Sequence, residues 1–170
     1  MSAYVQLNPR LLVPQAKIRH YCAENKCGNY RNNYMCPPFV GSPQEIARRL
    51  EDYEDGVLLQ YSRLLDVDDR RQASKQAKLD FHHSVLDIER LMGGEGFGGM
   101  WGTVAGSCEL CEKCRAASGE PCPYPDDART SLSAMGIDVI SLLDRLGLDS
   151  EFRSDRITWT GCILFERQSP

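Results

Sequence analysis

Seven of the eight cysteines in this chain fall into two tight groups, and no other feature restricts its fold and chemistry as much. The first group is Cys22, Cys27 and Cys36, with Pro37 and Pro38 directly after it. The second is Cys108, Cys111 and Cys114, then Cys122 followed by Pro123. With only three histidines in 170 residues, any metal site built here is sulfur-rich. Three cysteines two residues apart cannot pair among themselves, so the pattern reads as ligands rather than disulfides.

The second group is the more specific. Three thiolates spaced by two residues let one short loop wrap three corners of an iron–sulfur cubane, and a fourth cysteine followed by proline closes it. The arrangement resembles bacterial ferredoxin loops, but the last spacing is seven residues rather than three. That departure leaves open which of two clusters Cys122 serves, because in two-cluster ferredoxins the Cys-Pro cysteine crosses to the other cluster. Zinc is the alternative, although a tetrahedral zinc takes two ligands from one such knuckle and two from another.

Cys22, Cys27 and Cys36 form a second candidate loop with three local thiolates. Three completions are open: a cubane with one iron uncovered, a fourth ligand from elsewhere, or a zinc site completed by His20, since Cys3His is a common zinc set. Cys162 is the distant candidate for that fourth ligand. It lies in the apolar run Ile157–Phe165, which predicts instead a small buried hydrophobe. Arg19, Lys26 and Arg31 flank the first loop, and Lys113 and Arg115 sit in the second. Positive charge favours an anionic cluster, and solvated loop side chains are the plainer interpretation.

The compartment matters to this reading. The opening MSAYVQLNPRLLVPQAKIRHYC has no basic start leading into an apolar run of signal-peptide length, and no stretch is long and apolar enough to span a bilayer. A reducing, cytoplasmic setting is expected, where clustered cysteines mean metal or redox chemistry. A net charge of −4 and the lack of a basic stripe argue against nucleic acid or an acidic membrane as partner.

The length suits one metal-binding domain over residues 1–170, with cysteine loops at 20–40 and 106–125. Irregular backbone is expected over residues 8–42 and 93–125, and at a charged turn near Asp66–Arg71. Ser42-Pro43-Gln44-Glu45 is a capping box, opening a helix with Ile46, Leu50 and Tyr53 on its apolar stripe and Gly56 as its stop. Val57–Leu65 reads as a strand. Residues 70–92 place Ala77, Phe81, Val85, Ile88 and Leu91 on one helical face, ended by Gly93-Gly94. Phe97–Ala105 reads as a strand. Leu132, Met135, Val139, Leu142 and Leu146 mark a helix interrupted near Gly136 and stopped by Gly147, and Arg156–Arg167 closes as a strand. Alternation of this kind predicts an α/β (or α+β) fold, a small mixed sheet with helices packed on it and two irregular cysteine loops.

Other features nominate nothing. Gly94-x-Gly96-x-x-Gly99 follows a helix and precedes a strand, the reverse of what a dinucleotide fingerprint needs. His82 and His83 are adjacent within a helix and offer no ligand pair at i, i+4. The acidic runs Glu51–Asp55 and Asp66–Asp69 read as solvated surface or caps, and no nucleophile or general base stands out.

Taken together, Cys22…Cys36-Pro37-Pro38, Gly106-Ser107-Cys108-x-x-Cys111-x-x-Cys114, Pro121-Cys122-x-x-Pro125, Arg129, Ser131 and Gly136-Ile137-Asp138-Val139 resemble an uncharacterised cysteine-rich family of bacteria and archaea, predicted metal-binding proteins with a domain of unknown function. The resemblance runs from Cys22 to the last strand. It implies metal binding and an anaerobic cytoplasm rather than a reaction. It carries over Cys22, Cys27, Cys36, Cys108, Cys111, Cys114 and Cys122 as ligands, does not include Cys162, and assigns Arg129 and Asp138 to capping or orienting the helix after the cluster loop.

The expectation is therefore an iron–sulfur protein in electron transfer, or a redox partner, with a [4Fe-4S] cluster on Cys108, Cys111, Cys114 and Cys122 and a second on Cys22, Cys27 and Cys36. Its partner would be a redox protein or a small-molecule substrate. The alternatives are an enzyme using an open-site cluster as a Lewis acid, and a structural zinc protein that docks a partner.

Overall fold

The computed structural model describes residues 1–65 and 70–166. Asp66–Asp69 and Arg167, named above, lie outside them. Four strands, β1 (Ala3–Gln6), β2 (Asp55–Leu64), β3 (Trp101–Gly102) and β4 (Arg156–Phe165), form one sheet in the order β1-β2-β4-β3. The named pairs are all antiparallel, and one isolated parallel bridge joins Val104 to Ser131. Among the described residues five α-helices accompany them: α1 (Ala16–Ala23), α2 (Pro43–Leu50), α3 (Arg70–Gly94), α4 (Leu132–Met135) and α5 (Val139–Leu146). Of the two fold classes expected, the antiparallel pairing makes this α+β.

β2 and β4 are apolar on both faces because both faces are covered. Successive side chains alternate, so Leu58, Cys162 and Leu164 join a core with Leu50, Leu132, Met135 and Leu142 from α2, α4 and α5. Leu59 and Ile163 point the other way, onto Phe81 and Val85 of α3. Full burial of one such side chain contributes about 1.5–3 kcal/mol.

Helix starts follow local chemistry. Ser42 Oγ accepts from Glu45 N at 3.2 Å while Glu45 Oε2 accepts from Ser42 N at 2.7 Å, the capping box expected for α2. The interrupted helix is two helices, since Gly136 at φ 94° caps α4 and its backbone approaches Gln15 at the entrance to α1. Gly147, at φ 66°, stops α5.

Several boundaries differ from expectation. α2 ends at Leu50, not Gly56; Gly56 lies within β2, where a Cβ would stand 2.8 Å from Leu164 Cδ2, so it serves strand packing. Tyr53, assigned to the helical stripe, is buried in the turn that follows. Leu91 is 71% exposed, because ten residues beyond Phe81 a helix has rotated about 80° off the face it shares. Only Trp101–Gly102 of Phe97–Ala105 joins the ladder; Thr103 N still donates to Cys162 O at 2.7 Å, but Val104 N turns to Thr130 O. β1 and α1 had no counterpart in the sequence reading. α1 buries none of its residues and has no side-chain cap, so it carries neither a stripe nor a start signal.

Gly161 is where β4 admits no side chain. A Cβ there would sit 2.3 Å from Thr103 O and 3.2 Å from Phe81 Cζ. Gly161→Ala is expected to lower stability by about 1–3 kcal/mol. An unchanged urea midpoint would show that the strands do not approach so closely.

Candidate metal centre

The chain leaves β3 through buried Val104 and Ala105, turns at Gly106 (φ 67°) and enters the second cysteine segment. Cys108, Cys111, Cys114 and Cys122 are half-buried and line one small pocket, together with Asn33, Tyr34, Met35, Leu110, Tyr124 and Ala128. A 3-10 turn, Arg115–Ser118, capped by Gly119 at φ 73°, occupies the long spacing and returns the chain so that Cys122 shares this pocket.

Electrostatics in the pocket resist ionisation of Cys108 and Cys111. Burial raises the Cys108 thiol, and Cys111 and Cys114 push it further; the backbone N–H groups of Leu110 and Arg129, bonded to its sulfur, pull it down. Cys111 is likewise raised by burial and by Cys122 and Cys114, while Arg115 opposes the shift. Gathered thiolates need a cation among them to be stable, which is the chemistry of a metal site.

The first group lies against the second. Cys22 sits in the last turn of α1, Cys27 is exposed beyond it, and Cys36 is buried. Burial pushes the Cys36 thiol up to about 12, with further contributions from Cys27, Cys22, Cys108 and Cys114. Cys36 thus borders both sets. Three hydrogen bonds lock the loops together: Asn33 Nδ2 to Cys108 O at 3.0 Å, Tyr34 Oη to Glu120 O at 2.7 Å, and Thr130 Oγ1 to Met35 O at 3.1 Å.

The flanking charges divide. Arg19 donates to Ala134 O at 2.7 Å and Gly41 O at 2.8 Å, tying α1 to the core, and its charge lies near Cys22 and Cys36. Lys26 pairs with Glu24, and Arg115 with Glu120 at 3.8 Å. Arg31 lies over the Tyr30 ring, and Lys113 is exposed.

The remaining candidates are placed elsewhere. His20 is exposed and precedes Cys22 by two residues, which is about 200° around a helix. Cys162 is fully buried in β4; its N–H donates to Thr103 Oγ1 at 2.8 Å, and burial raises its thiol to about 12. None of the eight cysteines is joined in a disulfide. Among the described residues, no three histidine, cysteine, aspartate or glutamate side chains are already arranged to hold a single metal ion.

α3 fixes the second segment from behind. Lys78 bonds Glu109 and reaches Ser107 Oγ at 3.2 Å, just before and after Cys108. Glu89 accepts from Gly102 N at 3.0 Å and from Arg129 Nε at 3.0 Å. Arg129 is therefore not a helix cap; its side chain pairs with α3 while its backbone N–H serves Cys108. Asp138 does cap α5, accepting from Ser141 N at 3.1 Å. Nothing in the sequence singles out Asn33, Lys78 or Glu89, for their partners lie far along the chain and no spacing signals them, and His82 reads there only as a helical histidine.

His82, buried on α3, donates from Nε2 to Asp127 O at 2.9 Å. Burial lowers its pKa from 6.5, so the folded chain resists a proton that the unfolded chain accepts. Stability is full above about pH 6.5 and falls as pH drops toward the folded pKa, by at most about 1.4 kcal/mol per pH unit. His82→Gln keeps an N–H donor without titrating. Urea unfolding between pH 7 and 5 should fall less steeply in that variant; parallel profiles would sink the assignment.

One comparison with known proteins gives the general class. A family model described as Predicted metal-binding protein (DUF2284), a domain of unknown function, matches residues 6–165. No curated protein and no solved structure matches the chain. Among the described residues, no helix is long and apolar enough to cross a membrane.

Proposed function

The chain belongs to this family of predicted metal-binding proteins, and on that premise we propose that it is an iron–sulfur protein. The observation that carries the proposal is the convergence of Cys108, Cys111, Cys114 and Cys122 on one pocket. These four would hold a [4Fe-4S] cluster, and Cys22, Cys27 and Cys36 a second. A bound cluster supplies one-electron transfer and, where three thiolates alone hold it, a Lewis-acidic iron with an open position.

The chain's own groups suit that cargo. The N–H groups of Leu110 and Arg129 stabilise charge on the Cys108 sulfur, and Arg115 and Arg19 place positive charge near Cys111 and near Cys22 and Cys36. Leu110, Met35 and Ala128 give the four-cysteine pocket an apolar wall, which keeps water from the sulfurs and helps set a potential. With Cys36 beside Cys108 and Cys114, electrons could pass between centres without leaving the protein. Electron transfer to a redox partner, in a reducing cytoplasm, is the role this favours.

A second reading draws on Cys162. Its hydrogen-bonded place in the core leaves Cys22, Cys27 and Cys36 without a cysteine of their own to complete a set of four. That favours an open iron and a small-molecule substrate at the three-cysteine loop. The zinc reading stays distinct from both, because it requires no sulfide.

Protein purified under argon should be brown and contain iron and acid-labile sulfide. Colourless protein holding zinc without sulfide would favour the structural alternative. Cys111→Ser should remove the iron of the four-cysteine centre, and Cys22→Ser that of the other. Full iron retention in either variant would overturn the corresponding ligand assignment.

A further inference from the structure

Beside the four-cysteine pocket lies a second cleft of about 420 Å³, sharing Tyr34, Met35 and Ala128 as a common wall. Its floor is the Glu89–Arg129 pair, 3.0 Å apart, with Gly102 N–H also on the carboxylate. That carboxylate is thus matched within the floor. The surplus charge of the cleft belongs to Arg49.

Arg49, in the last turn of α2, lies with its Cζ 3.8 Å from the centre of the Trp101 ring. Trp101 is itself buried and held by Tyr53, 5.8 Å between ring centres, so the platform is rigid. Among the described residues the Arg49 side chain makes no ion pair or hydrogen bond and stacks on this ring alone. A guanidinium held against an aromatic face keeps its N–H edge available, in a fork that matches two oxygens of a carboxylate or phosphate. A pre-oriented fork also loses less side-chain freedom on binding.

We propose that this cleft is a binding site for a small oxyanionic molecule, a carboxylate or a phosphate, gripped by Arg49 and set one wall away from the four-cysteine centre. The volume falls within the range of small-molecule sites. The inference goes beyond the iron–sulfur reading and does not need it, since the cleft is built by α2, β3 and the Glu89–Arg129 pair. Binding itself depends on Arg49 and Trp101.

The test titrates the as-isolated protein with succinate, and separately with inorganic phosphate, against sodium chloride of matched ionic strength. Trp101 is the reporter, and Trp159→Phe leaves it as the single tryptophan. Calorimetry on the natural chain and on Arg49→Gln provides a measurement that does not depend on that replacement. Saturable binding of succinate or phosphate, weakened about tenfold or more in Arg49→Gln and partly kept in Arg49→Lys, supports the site. Response to one anion alone identifies which source of oxygens it takes. Equal response to chloride, or equal affinity in Arg49→Gln, overturns it. Iron and sulfide assays on the same samples judge the cluster reading separately, since loss of either would leave Arg49-dependent binding in place.

Discussion

Thiolates repel one another, and Cys36 sits where two sets of them meet. It is buried, and its ionisation is opposed by that burial and by the charges of Cys27, Cys22, Cys108 and Cys114, pushing its thiol up to about 12. The surrounding design answers that repulsion. Backbone N–H groups point at Cys108, while arginines lie near Cys22, Cys36 and Cys111. A metal among the sulfurs would complete the neutralisation, because each thiolate binds as an anion. The family to which the chain belongs carries the same implication.

The sheet does not touch this chemistry directly but decides where it happens. β2 and β4 are covered on both faces, so α3 has a fixed position over one of them. From there Lys78, His82 and Glu89 reach the cysteine segment before, after and behind its pocket. The opposite core, through Ala134, holds Arg19 and with it the entrance to the first cysteine loop. Each loop is therefore anchored to a different side of the sheet, and the two meet at Asn33, Tyr34 and Met35.

Much of this was legible in the residues, for identifiable reasons. The capping box at Ser42, the break at Gly136, the glycine pair in the last turn of α3 and Gly147 after α5 are local signals, and local signals fix helix ends. β2 and β4 announced themselves as apolar runs. α1 did not, since its stability comes from Arg19 and from contacts with the α4 turn rather than from a stripe of its own. The cysteine spacing suggested two loops, but their docking depends on hydrogen bonds from Asn33 and Tyr34 to distant carbonyls, which no period or motif encodes. Nor did spacing settle the place of Cys122; the turn at Arg115–Gly119 brings it round to the pocket of the other three.

The shared border at Cys36 has a consequence for how the protein would accept electrons. If the proposed clusters occupy both loops, an electron added to one would raise the negative potential at the other, just as charge on either set of cysteines is felt at Cys36. The second electron then enters less readily than the first, so two chemically similar centres would display separated midpoints and favour a singly reduced state, as interacting acids favour loss of one proton.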